Sequence, residues 1–189
     1  MTTRREVAMT ADSTRRGGVR IYRAADAPDL KTSGFGAGGD YAEQPELQAY
    51  ATDLAAASGN DSRVLVRQAP EEGGYSLVYL WFKPNFPLLR HRHEDDCLYV
   101  VVSGSAIMGN QTLRPGDSFF VPAEAPYFYN AGPEGVEVLE VRHNVERFTT
   151  IFATNTEGRI QEARDAVRDN AATWKQLSTG PLLAANAES

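Results

Sequence analysis

His91 and His93 stand one residue apart in RHRHEDDCLYVVVSG, Arg90 to Gly104, and Cys97 follows four residues after the second. In an extended strand, residues two apart share a face and lie about 7 Å apart at the backbone, close enough to chelate one ion. A pair alone is incomplete, because divalent ions in proteins generally take three or more protein ligands. The same pair could equally be a hydrogen-bonded decoration on a strand. Glu94, Asp95 and Asp96 follow directly, but a strand aims only alternate residues inward, so the run is expected to be a solvated turn. Asp96 would enter the interior only through a one-residue bulge. Arg90 and Arg92 alternate with the histidines and are expected to face away. No Ser-His-Asp order is suggested, and no GxGxxG or GxxxxGK[ST] phosphate loop precedes a helix.

Several elements must position these groups. Pro45 opens PELQAYATDLAAASG, where Leu47, Tyr50, Ala51 and Leu54 recur at helical spacing and Gly59 suits the exit. From Ser62 to Val141 the pattern becomes short β-branched and aromatic runs separated by EEGG, GNQ, RPGD, AEAP and NAGPEG. Closely spaced strands without intervening helices indicate an antiparallel sandwich or small barrel. Ile160, Ala163, Val167, Ala171, Trp174 and Leu177 then form one stripe of an amphipathic helix from Glu157 to Leu177. The expected organisation is a flexible N-terminal arm over 1–44, a barrel with its leading helix over 45–155, and a helix and tail over 156–189.

Two stretches carry a family resemblance. LLRHRHEDDCLYVVVSG followed by LRPGDSFFVPAEAPYFYN is similar to the two motifs of the cupin superfamily. His91 and His93 fill the first motif's HxH, and Gly104 falls where that motif ends. Gly109, Pro115, Gly116, Asp117, Pro122, Pro126 and Asn130 follow the second. The resemblance covers about Tyr75 to Val141. It implies an all-β fold, a double-stranded β-helix or jelly-roll barrel with short flanking helices and an internal metal site. Two ligand positions depart from the family: Cys97 stands at the glutamate, and Tyr127 replaces the last histidine.

Three readings follow. In the first, His91, His93 and Cys97 hold the ion, since thiolates suit zinc and iron, with Tyr127 as a costly phenolate ligand. In the second, His143 completes a three-histidine set. In VEVLEVRH it shares parity with Leu139 and Val141, the expected inward side, while Glu140 and Arg142 face the other way. In the third there is no metal, and Cys97 is a small buried hydrophobe. The expected metal set is therefore His91, His93, Cys97 and His143, with Tyr127 and Cys97 as catalytic candidates. The expected cofactor is one divalent ion, with iron ahead of zinc, manganese, nickel or copper, or none.

The favoured function is a metal-dependent small-molecule enzyme, with oxygenase ahead of isomerase and lyase or cyclase. Its ion would bind substrate or dioxygen, with Tyr127 as acid or orienting donor. Tyr79, Trp81, Phe86, Tyr99, Met108, Phe119, Phe120, Phe128 and Tyr129 alternate in and out, so about half should face a cavity, an apolar pocket suited to a small organic molecule. The alternative is a metal-free ligand-binding or structural cupin; a module using the basic arm of residues 1–18 is a third. A net charge of -6 and a pI of about 5.1 argue against a nucleic-acid partner. No window approaches the apolar length of a membrane span. A single cysteine excludes an internal disulfide and favours a reducing, cytoplasmic setting. The flanking segments and Trp174 favour a homodimer.

Overall fold

The computed structural model describes residues 18–36, 44–143 and 146–187; the basic stretch over residues 1–17 lies outside the described residues. Eight strands form: β1 (Asn60–Arg67), β2 (Tyr75–Phe82), β3 (His91–Arg92), β4 (Cys97–Met108), β5 (Gln111–Leu113), β6 (Ser118–Val121), β7 (Asn130–His143) and β8 (Ile151–Phe152). Three helices accompany them: α1 (Pro45–Ala57), α2 (Glu157–Gln176) and α3 (Pro181–Ala187). Valines and aromatic residues at alternate positions make β2, β4 and β7 good strands. They pair antiparallel in the order β1-β2-β7-β4-β5, with β6 also on β4.

The expected all-β jelly-roll barrel does not form. One six-stranded sheet carries the fold, and a second sheet consists of β3 and β8 alone, two residues each. The sequence between β2 and β3 explains why the second sheet stays short. Pro84 and Pro87 remove two ladder donors from Lys83–Arg90, so this segment cannot extend a strand. The wall that a second sheet would supply is built instead from helix and loop. The Tyr50 hydroxyl of α1 donates to the Pro87 carbonyl at 2.7 Å. Trp174 of α2 packs 5.7 Å from the Phe86 ring, and its indole N–H donates to the Pro84 carbonyl. Helices therefore form part of the core, which corrects the all-β class to a mixed one.

Helix boundaries follow from local chemistry. Proline opens α1, and Ser58, not Gly59, takes the left-handed exit with φ 54°. The Thr156 hydroxyl caps α2 by accepting from the Arg159 amide. At its other end the Lys83 ammonium donates to the carbonyls of Trp174 and Leu177 at 2.6 and 2.7 Å. Ile160, Ala163, Val167 and Trp174 of the expected stripe are buried. Helix α3 was not expected; the Leu182 amide in its first turn donates to the buried Glu137 carboxylate. Among the described residues, no helix is long and apolar enough to cross a membrane.

The glycine ending the first motif has a direct cause. Gly104 has φ +67°, and a Cβ there would sit 2.1 Å from the Gly135 carbonyl oxygen. It lies at a bulge that lets β4 bend against β7. In the RPGD turn, the Asp117 carboxylate accepts from the Arg114 amide at 2.8 Å, the capping role expected of it.

Candidate metal centre

β4 and β7 bring the chemistry together. In their ladder Tyr99 faces Glu140, and Cys97 lies two residues before Tyr99 on the same strand face. β3 meets the loop before β7 through a two-way backbone bridge between His91 and Tyr127, at 3.0 and 2.9 Å. His93 follows β3 and turns toward the same place. The outcome is a buried cluster in which His93, Cys97 and Glu140 each offer one ligand atom, all within 4.8 Å of one another.

Each donor is held. His93 Nδ1 lies 2.6 Å from the Thr149 carbonyl oxygen, which can only accept, so Nδ1 carries the proton and Nε2 the lone pair. His91 has the same arrangement, with Nδ1 2.9 Å from the Leu89 carbonyl. A carbonyl fixing Nδ1–H is the usual outer support of a ligating histidine. Burial holds both rings neutral. It lowers the His91 pKa to about 4 and, together with the charge of Arg142 and the neighbouring His91, that of His93 to about 2. The Cys97 thiol is pushed up to about 12, first by burial and then by the Glu140 carboxylate, and it donates to the Asp95 carbonyl.

Tyr127 joins this cluster from above β3. Its hydroxyl lies 3.0 Å from His93 Nε2 and 2.5 Å from the Tyr99 hydroxyl. Since Nε2 can only accept, Tyr127 donates to it and Tyr99 donates to Tyr127. Burial, then the Glu140 charge, hold the Tyr127 phenol well above its ordinary pKa. It is a hydrogen-bond donor here and not a phenolate.

The cluster borders a cavity of about 430 Å³. His91, His93, Tyr127 and Glu140 lie on its wall beside Phe82, Phe86, Tyr129 and Phe152, while α1 supplies Tyr50 and Leu54. Cys97 is fully buried and reaches the cluster from behind that wall. Of the aromatic residues read from alternation, Phe86, Tyr99 and Tyr129 line the cavity, whereas Phe120 and Phe128 are exposed.

His143 does not join. It ends β7 exposed, opposite Tyr75, with ring centroids 4.9 Å apart. The parity expected for this strand is reversed: Glu140 and Arg142 are buried, and Leu139 and Val141 are only half-buried. Glu140 is therefore the ligand candidate that sequence reasoning missed. Asp96 is also outside the cluster, accepting instead from the Ala123 amide at 2.7 Å. Glu94 is exposed and accepts from the Thr149 hydroxyl.

The donor set fits a metal. Imidazole nitrogen, thiol sulfur and carboxylate oxygen together suit zinc or iron, and a second histidine, His91, adjoins them with ring centroids 4.9 Å apart.

No protein-family model and no curated protein sequence matches the chain. Solved structures similar to it include the polyketide cyclase RemF from Streptomyces resistomycificus, at 16% identity over 79% of this chain and 99% of that one, TM-score 0.49. A Ralstonia eutropha protein of unknown function with a cupin-like fold is 16% identical over 81% and 89%, TM-score 0.47. An RmlC-like cupin from Shewanella frigidimarina is 22% identical over 46% and 78%, TM-score 0.41. Of these three descriptions, the second and third name a cupin or cupin-like fold.

Proposed function

We propose that this chain is a metal-dependent enzyme of the cupin type, acting on a small apolar or aromatic organic molecule. The observation that carries the reading is the buried His93–Cys97–Glu140 donor set at the wall of an aromatic cavity. His93, Cys97 and Glu140 would hold one divalent ion, iron ahead of zinc, manganese, nickel or copper, with His91 beside them. Such an ion supplies Lewis acidity toward a carbonyl or enolate, or redox chemistry toward dioxygen.

The chain's own residues do the rest. Phe82, Phe86 and Tyr129 take up the ring or alkyl body of the substrate and exclude water. Tyr127, which stays protonated on the cavity wall, can orient substrate as a hydrogen-bond donor when its hydroxyl is released from His93. Arg142 balances the Glu140 charge. Oxygenase chemistry is favoured over isomerase and lyase or cyclase, because the donor set suits iron and the wall suits an apolar substrate. A cytoplasmic homodimer is proposed alongside it, without a contact from Trp174, which is buried inside the chain against Phe86.

Elemental analysis of the purified chain tests the reading. About one ion per chain is expected, lost in His93→Ala and Glu140→Gln. Less than about a tenth of an ion after reconstitution with iron or zinc ends it. Dioxygen uptake by the iron-loaded protein, over a panel of phenolic and enolic compounds, tests the oxygenase preference; no uptake with any of them, alongside turnover without dioxygen, moves the assignment to isomerase or lyase.

A further inference from the structure

The Tyr127 hydroxyl occupies a lone pair that a metal would need. The Thr149 carbonyl fixes the proton on His93 Nδ1, which leaves Nε2 as the ring's one ligating atom. Tyr127 donates to that atom at 3.0 Å. An imidazole nitrogen has a single in-plane lone pair, so it cannot accept from Tyr127 and bind a cation together.

We propose that Tyr127 is an internal competitor for His93, a positioning residue whose hydroxyl sets how tightly the site holds a divalent cation. The inference rests on the metal-centre reading above. Two arrangements strengthen the competitor. Tyr99 donates to the Tyr127 oxygen at 2.5 Å, and a donor that itself accepts a hydrogen bond is polarised into a stronger one. The two-way backbone bridge to His91 and the ring contact with it, centroids 4.4 Å apart, keep Tyr127 in place, so the hydroxyl cannot leave by a small loop movement. A cation must therefore replace the Tyr127 bond as well as shed its own water.

Zinc alone is the probe, titrated against a chromophoric chelator on the full-length chain and on Tyr127→Phe and Tyr99→Phe. Circular dichroism and thermal melting check the fold of each. Tyr127→Phe removes one oxygen and frees Nε2, so zinc should bind about five- to tenfold more tightly, the worth of one net hydrogen bond. Tyr99→Phe should give a smaller gain in the same direction, and it carries the test if Tyr127→Phe does not fold. Weaker binding by Tyr127→Phe would make the hydroxyl a ligand, and equal binding would make the bond irrelevant. Either overturns the inference while the metal centre stands. Failure of all three proteins to bind zinc better than His93→Ala ends the metal-centre reading and this inference with it.

Discussion

The Arg142 guanidinium lies 2.6 Å from the Glu140 carboxylate, and the two side chains are 0% and 1% exposed. Phe148 lies 3.8 Å beneath the guanidinium carbon, and the Thr149 carbonyl accepts from it at 3.4 Å. Burial is the strongest influence and opposes the arginine charge, but the Glu140 carboxylate, together with Cys97 and Tyr99 behind it, outweighs burial and holds Arg142 protonated. The pair is a fixed neutral unit beside the cavity, and it leaves Glu140 facing His93 and Cys97.

Breaking one half of this unit should cost far more than replacing both. Arg142→Met leaves a buried carboxylate without a partner, which should cost about 3–5 kcal/mol. Glu140→Leu combined with Arg142→Met should cost much less than the sum of the two single changes, since no charge is left unpaired. Urea denaturation followed by circular dichroism measures this. Additive single and double effects would show that the pair does not act as a unit.

Metal uptake should depend steeply on pH through Cys97. A thiol pushed up to about 12 is protonated at neutral pH, and it must lose that proton to ligate. His91, at about 4, and His93, at about 2, are already neutral above pH 6 and add nothing to the slope. Zinc affinity should rise about tenfold per pH unit between pH 6 and 8. Cys97→Ser should bind more weakly and flatten that slope. Chelator competition at three pH values reads both, and a slope unchanged by Cys97→Ser removes the thiolate from the ligand set.

Much of this site was legible in the sequence because its spacing is local. The HxH of His91 and His93, the cysteine ahead of a β-run and the PGD turn each lie within a few residues, and short-range geometry fixes them. Glu140 was not legible. In VEVLEVRH, Val136 and Val138 lie at one parity and Leu139 and Val141 at the other, so alternation names no inward side. Pairing decided it: the β4–β7 register sets Tyr99 opposite Glu140, and β4 is itself shifted at two bulges. The barrel expectation failed for a different reason. Strand number could be counted from the sequence, but strand length could not, and Pro84 and Pro87 hold the second sheet to two residues per strand.

Gly104 offers a test of a close backbone approach. Gly104→Ala meets a left-handed φ of +67° and a Gly135 oxygen 2.1 Å from the new Cβ. Strain of about 1–3 kcal/mol from the conformation adds to the cost of moving β7 away. Thermal melting should show a large loss of stability. Gly109→Ala shares the left-handed φ at +60° but has nothing within 4 Å, so it should lose only the conformational part. Equal losses at the two sites would mean that the close approach contributes nothing.

Acid should unfold the protein through its buried histidines. The unfolded chain protonates His91 near the ordinary 6.5, whereas the native chain resists until about 4. Protons therefore favour the unfolded state throughout that gap. The stability that His91 contributes is complete above pH 6.5 and is lost as pH falls toward 4, about 3 kcal/mol in all. His93 acts in the same direction and its window reaches lower, to about 2. Urea midpoints at pH 7.5, 5.5 and 4.5 should fall steadily for the natural chain. His91→Gln cannot take up a proton, so it should start less stable at pH 7.5 and lose about half as much on the way down. Carboxylates elsewhere titrate in both proteins and cancel in the comparison. A His91→Gln protein whose midpoint falls as far as that of the natural chain would show that this histidine is not a source of the acid sensitivity.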